Sequence, residues 1–506
     1  MTTLSAPHLD YWALAPILIL LGGALLSVLA EAFLAHPTRK TTSATLAFGS
    51  IAISFITLIE RHQHTTATAA VGSVSFDPAG IFFQGMILVL GFAALVFMAN
   101  RDQFVSVASA LPGSNEEAEA IKAGRMQSEL FPLALFALSG ALLFVVATDL
   151  ITLFVALELL SLPLYLMVGL SRRRRLLSQE AALKYFLLGA FASAIFLFGS
   201  ALLYGFSNSL SLVGIDAALS TSTNNNFLFI LGLVFVLIGL LFKTGTAPFH
   251  SWVPDVYQGA PTPITGFMAS IVKIAAFGAF LRIFYAGFGL ANTNWRPLVI
   301  AVAIVSMFVG SIGAVVQRDI KRILAYSSIA HSGFLTMAVV SLSGAALQTT
   351  LFYLFTYGVA TVGIFGTITL VKDSVGEVGD INRWSGLAKK SPLVAIVLTI
   401  FLLSFTGIPL TAGFVAKFSL FTSVLVTGYW WLIIPAVVAS AIAAYAYLKV
   451  LIQIFFSSTP SNTVSVEIPS LWSALTIGLA AITTLVLGIY PNILSDFVSS
   501  FSTFIR

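Results

Sequence analysis

Apolar runs of about eighteen residues or more recur along the whole chain between short polar stretches, and each is long enough to cross a bilayer as a helix. Periodicity and turn signals give about fourteen helices: 11–34, 41–60, 77–99, 130–147, 149–170, 179–206, 226–245, 262–285, 297–316, 322–341, 346–371, 391–420, 429–456 and 468–492. Two are interrupted. The seventh runs into Lys243 to Pro248 (KTGTAP), and the twelfth is broken between Thr406 and Pro409 (TGIP) before resuming at Lys417. Lipid cannot replace the backbone hydrogen bonds that Pro and Gly remove, so both breaks are expected to face protein or water.

The broken helix is the fourth member of two successive sets of five, residues 130–285 and 297–456. A unit with an odd number of spans, repeated directly, must enter the membrane from opposite sides, so the sets are expected to be inverted repeats with charge sites near the midplane. Residues 1–129 supply three N-terminal helices and a polar insertion, and 457–506 supply a last helix. The insertion, 100–129, reads as a partly ordered loop.

Composition agrees with the pattern: 506 residues, 58% hydrophobic and 9% charged, describe an all-α polytopic membrane protein. The N-terminal stretch lacks a basic leader and a small-residue cleavage site, so its apolar run is expected to be a retained helix. The net charge of +5 reports orientation, because its cations crowd alternate loops. Arg39, Lys40, Arg101, Lys122, Arg125, Arg172 to Arg175, Arg318, Lys321, Arg322, Lys372, Arg383, Lys389 and Lys390 fall on one side; Arg61, Arg282, Arg296 and Arg506 fall on the other. The positive-inside rule then puts both termini on the outer face. Cysteine is absent, which excludes thiolate-held iron–sulfur clusters, thiolate zinc sites and disulfides on this chain. No P-loop, dinucleotide fingerprint or metal-ligand cluster appears, so no cofactor or metal is expected here.

The candidate chemistry is a set of charges placed where charge is costly. A lysine at mid-bilayer costs roughly 2.5–3.5 kcal/mol on insertion scales. Lys243, Lys273 and Lys417 all stand deep in apolar runs, which points to a charge pathway. Glu158, deep in the fifth helix, must be protonated, paired or hydrated, and Lys243 is its expected partner. His331, in ILAYSSIAHSGFL, is suited to passing protons near neutrality, with a structural histidine as the competing reading. Lys184 opens the sixth helix near the arginine run, where snorkelling to the interface competes with function. His250 and Asp255 are expected to shape the segment after the first break, and Glu31, Asp149 and Lys449, near predicted membrane edges, to anchor at the interface.

The strings FKTGTAPFHSWVPDVYQGAPTPITGF, KRILAYSSIAHSGF and TGIPLTAGFVAKF resemble the antiporter-like subunits of respiratory complex I, the proton-pumping NADH–quinone oxidoreductase. The likeness runs from the first helix to the last and is strongest to the subunit N branch in its actinobacterial form. It implies fourteen helices with two inverted five-helix units broken at helices 7 and 12. It also implies a proton relay through Glu158, Lys184, Lys243, Lys273, His331 and Lys417. Lys417 stands where the subunit M pattern has glutamate, and no long lateral helix of the subunit L kind follows the last span. The resemblance further implies a bacterial plasma-membrane subunit of a translocase, with subunits M and K as neighbours and with flavin, iron–sulfur clusters and quinone on partners. A subunit of a multi-subunit sodium–proton antiporter and a non-transporting scaffold are the alternatives.

Overall fold

The computed structural model describes residues 9–62, 68–99, 114–123, 127–171, 175–221, 227–373, 376–457 and 464–504. The principal helices are α1 (Tyr11–Phe33), α2 (His36–His62), α3 (Pro78–Met98), α4 (Leu130–Phe144), α5 (Leu150–Val168), α6 (Arg175–Ser207) and α7 (Phe227–Thr244). They continue with α8 (Thr262–Gly287), α9 (Asn292–Val316), α10 (Ile320–Val339) and α11 (Gly344–Ile368). Last come α12, in two pieces (Pro392–Thr406 and Ala412–Val426), α13 (Ile433–Phe456) and α14 (Leu471–Ile489). Among the described residues, eleven helices are long and apolar enough to cross a membrane. The protein is a multi-pass membrane protein and, among the described residues, all-helical apart from two antiparallel pairs of two-residue strands. These are β1 (Thr68–Ala69) with β2 (Val74–Ser75), and β3 (Val371–Lys372) with β4 (Ser465–Val466).

Burial sorts the helices into a core and a rim. Every residue of α8 except Tyr285 is buried, and α11 is almost as enclosed, as expected for helices apolar on all sides. α10 is also enclosed, although Lys321, Arg322, His331 and several serines make it too polar to rank among the eleven. It is shielded by its neighbours. Its tightest packing is with α9, where a Cβ added at Gly310 would lie 2.3 Å from the Ala330 nitrogen, so only glycine lets the two backbones come so close. By contrast, α5 shows an exposed apolar stripe through Ile151, Val155, Leu162 and Leu166.

Both interruptions lie where the sequence places them. α7 stops at Thr244, Gly245 takes a positive φ of 70°, and a short helix, Trp252–Gly259, follows. The freed α7 carbonyls are met from within: Thr246 Oγ1 donates to Leu241 O at 3.0 Å and Trp252 Nε1 to Phe242 O at 3.0 Å. In α12, Gly407 and Leu410 take positive φ, 83° and 72°. Two features were not read from the sequence: α8 contains π-helical turns at Met268–Val272 and Ile283–Gly287, one just before Lys273 and one just after Arg282. Of the 100–129 insertion, Asn115–Lys122 forms a short helix and Ser128 donates to Glu31 at 2.8 Å. Arg101, Arg125, Arg172 to Arg174 and Arg506 lie outside the described residues.

Candidate functional site

Four of the predicted residues gather along one buried line. Lys243 is in the last turn of α7 and its amine donates to Ser161 Oγ on α5 at 2.7 Å and to Tyr185 OH on α6 at 3.5 Å. The next carbonyl along, Thr244 O, accepts from Ser332 Oγ of α10 at 2.8 Å. Ser332 Oγ in turn accepts from the Lys273 amine at 2.6 Å, and Lys273 also donates to Ser328 O at 2.6 Å. Ser328, His331 and Ser332 share a face because they are three and four residues apart on one helix. The line bends there. The Lys273 amine lies 5.5 Å from the centre of the Tyr357 ring, which packs 5.0 Å from the His331 ring. His331 Nδ1 shares a hydrogen with Tyr353 OH at 2.7 Å.

Beyond His331 the second break takes over. A small cavity lined by His331, Tyr357, Ser404, Phe405 and Gly413 leaves about 10 Å³ for the centre of a water-sized sphere, room for about one water. Ala416 also lines it, and Lys417 is the next residue. Its amine donates to Phe405 O and Thr406 O, both at 2.9 Å, and to Ser440 Oγ of α13 at 3.0 Å. The break thus exposes two carbonyls and Lys417 satisfies them, so the charge and the interruption are one device. Among the described residues, none of these three lysines touches a carboxylate, although the charge of Glu158 is near enough to act on Lys243; hydroxyls and carbonyls take their hydrogen bonds.

Two expectations need correction. Glu158 does not pair directly with Lys243: Ser161, three residues on and roughly 60° around the helix towards the core, takes the lysine. Glu158 falls on the exposed stripe of α5, and its Oε1 is enclosed without a hydrogen-bond partner. Lys184 lies apart from the line, its side chain 41% exposed between Glu180 at 2.6 Å and Asp255 at 2.7 Å. The reason is position: it is too near the start of α6 to reach the centre. Asp255 also takes Arg322 at 2.7 Å, so it joins the segment after the first break to α6 and α10. Burial alone pushes the Asp255 carboxyl up, but the hydrogen bonds from Lys184 and Arg322 outweigh it and hold its pKa below the usual value. That brace is therefore present above the ordinary carboxylate range and is lost only as pH falls through the lowered value.

Glu31, Asp149 and Lys449 tie helix ends together. Asp149 caps α5 through Ile151 N and Thr152 N, Glu31 accepts from Ser43 and Ser128, and Lys449 donates to Val315 O and Gln317 O at the end of α9. Sequence reasoning missed Ser161, Tyr185, Ser332, Tyr353 and Ser440, whose types are common in membrane helices. Only the serines flanking His331 carried a signal, through their helical spacing.

A bundle with buried lysines at two helix breaks, joined by an enclosed helix with its own lysine and a histidine helix, defines an antiporter-like membrane subunit. The family model for NADH:quinone oxidoreductase/Mrp antiporter, TM, matches residues 147–443, which include Glu158 and the whole line from Lys243 to Lys417. NADH-quinone oxidoreductase subunit N of Rhodococcus opacus is 46% identical, over 100% of this chain and 98% of its own. A chain of respiratory complex I from Thermus thermophilus with bound aureothin has a TM-score of 0.78 and 30% identity, covering 96% of this chain and 99% of that one. A chain of the Mrp complex from Dietzia sp. DQ12-45-1b, at 20% identity and a TM-score of 0.79 over 96% of each chain, shares the fold. This chain belongs to the antiporter-like membrane subunits of NADH–quinone oxidoreductase, in the subunit N branch.

Proposed function

We propose that the chain translocates protons as subunit N of a bacterial NADH–quinone oxidoreductase, and that Glu158, Lys243, Lys273, His331 and Lys417 carry them. One observation supports this above the others: three buried lysines, none touching a carboxylate among the described residues, are linked through Ser332, the Tyr357 and His331 rings and Phe405 into a single line. Lysine is suited to the task because it can exist as ammonium or amine, whereas arginine cannot shed its proton. Approach of an anion favours the ammonium and its withdrawal favours release. In this reading Glu158 supplies that anion by a shift of α5 or of its own side chain, in place of Ser161, which holds the lysine in this structure. Ser332 binds both the α7 end and Lys273, so movement at the first break is transmitted to the second lysine. Lys184 keeps a place as the brace of Asp255 at the charged end.

In this reading the chain crosses the plasma membrane fourteen times as two inverted five-helix units with flanking helices, and both ends face outward. Oxidation of NADH and the flavin, iron–sulfur and quinone chemistry belong to partner subunits. A partner also covers the α5 stripe, since a carboxylate facing lipid is costly; subunits K and M are the expected neighbours. The likeness to the Mrp complex concerns fold alone and does not favour sodium–proton exchange.

Lys243→Ala in the assembled complex tests the assignment. NADH oxidation by a hydrophilic artificial acceptor should persist while quinone-linked turnover and proton pumping fall together. Loss of the artificial-acceptor activity with all subunits present would put Lys243 in electron transfer and overturn the reading.

A further inference from the structure

Away from the lysine line, α3 and α11 finish and α14 begins around an open apolar groove of about 660 Å³, within the size range of ligand clefts. Phe48 of α2, Phe92 and Val96 of α3 and Trp472 of α14 wall it. On its rim the β3–β4 pair brings together Lys372 and Glu467, whose amine and carboxylate are 2.5 Å apart. They differ in access: the Lys372 side chain is 9% exposed and that of Glu467 45%. We propose that this groove binds a phospholipid with an ethanolamine headgroup, an acyl chain lying against Phe92 and Val96, the phosphate taken by Lys372 and the ammonium by Glu467.

The walls select an acyl chain. The groove opens sideways beside Trp472 and Ile468, which are 68% and 95% exposed, and tryptophan side chains such as Trp472 sit at the level of lipid headgroups. It is also extended. Phe48 and Phe92 meet edge to face at 5.0 Å, and past them the same α2–α3 seam opens into a second apolar groove of about 390 Å³ lined by Phe55, Val89 and Phe355. Phe55 lies seven residues from Phe48 on α2, so both grooves follow one helix face.

The rim selects the headgroup. Lys372 is already neutralised by Glu467, so an anionic headgroup meets a neutral pair whose more exposed member is a carboxylate. A zwitterionic headgroup brings one charge for each partner. An ammonium also donates hydrogen bonds to Glu467, which a quaternary choline cannot do. The start of α14, at Leu471 beside the rim, adds the positive end of a nineteen-residue helix on the phosphate side.

The test uses the intact complex in vesicles containing photoactivatable phosphatidylethanolamine or phosphatidylglycerol, with labelled peptides read by mass spectrometry. Phosphatidylethanolamine should label the peptides carrying Phe92 to Val96 and Trp472 in roughly tenfold excess, the worth of one charge-assisted hydrogen bond. Glu467→Gln, which leaves Lys372 without its anion, should bring phosphatidylglycerol labelling level with phosphatidylethanolamine or above it. Val96→Trp, which fills the groove, should abolish both labels while NADH–quinone activity shows the complex assembled; Ala99→Leu serves if it does not assemble. Equal labelling of the wild type by both lipids overturns the headgroup assignment. Undiminished labelling of the blocked variants, or cross-links from these peptides to another subunit instead of lipid, overturns the site.

Discussion

At the scale of single residues, each lysine of the line has neutral oxygen partners. Such partners accept from an ammonium and tolerate an amine, so either state is housed without a trapped counter-charge. Lys417→Arg tests this at the second break. Arginine keeps the charge over the Phe405 and Thr406 carbonyls but cannot release a proton, so assembly should hold while pumping collapses. Unimpaired pumping would reduce Lys417 to a fixed cap. Ser332→Ala removes the oxygen that accepts from Lys273 and donates to Thr244, and a buried group left unsatisfied costs about 1–3 kcal/mol. Quinone-linked turnover should drop by roughly tenfold or more on that figure, with artificial-acceptor activity unchanged. Turnover at the wild-type level would show that Ser332 does not connect the two lysines.

Among the elements, the two breaks hold Lys243 and Lys417, and the unbroken helices frame them. The kink in α12 depends on Gly407, whose φ of 83° suits glycine, and an added Cβ would stand 3.0 Å from the Lys417 side chain. Gly407→Ala should therefore destabilise the complex by about 1–2 kcal/mol and displace the Lys417 amine. Thermal inactivation of the purified complex and its pumping ratio measure the two effects. Helix positions and both breaks were legible in the sequence because hydrophobic length and Pro–Gly chemistry act locally. Burial of α8 and α10 was not, since it depends on which helices surround them. The lysines were found for the same local reason, as charges in apolar runs. Their partners were missed because a serine or tyrosine in a membrane helix costs little and leaves no mark until a second helix faces it. The Glu158–Lys243 pair failed on rotation: helix membership was right, but a turn of roughly 60° decided which α5 side chain met the lysine.

Across the whole molecule, the lysine line is held between two charged ends. One is the cluster of Asp255 with Lys184 and Arg322. At the other, Arg282 of α8 meets Asp77 at the start of α3, with contacts of 2.7 and 2.9 Å and no exposure of either side chain. Asp77 also caps α3 through Gly80 N, and Arg282 reaches Val145 O at 2.8 Å, so one ion pair joins three helices. Breaking a buried pair by removing one partner costs about 3–5 kcal/mol. Asp77→Asn should accordingly lower the thermal stability of the complex by that order. Asp77→Leu combined with Arg282→Met should recover much of the loss. If the double variant is as unstable as the single one, the pair is not the source of the effect.

The lid over that ion pair comes from the far end of the chain. Phe504 lies 4.9 Å from the Arg282 guanidinium, and Thr503 O accepts from Ala79 N, the second residue of α3. In the order of synthesis, every bundle helix precedes these two residues, and Asp77 precedes them by more than four hundred. A growing chain therefore makes all fourteen principal helices before it makes the two residues that cover this pair. The cover is added only once translation has passed Phe504, so the enclosure of Arg282 and Asp77 is a late step in synthesis, later than the helices that carry them.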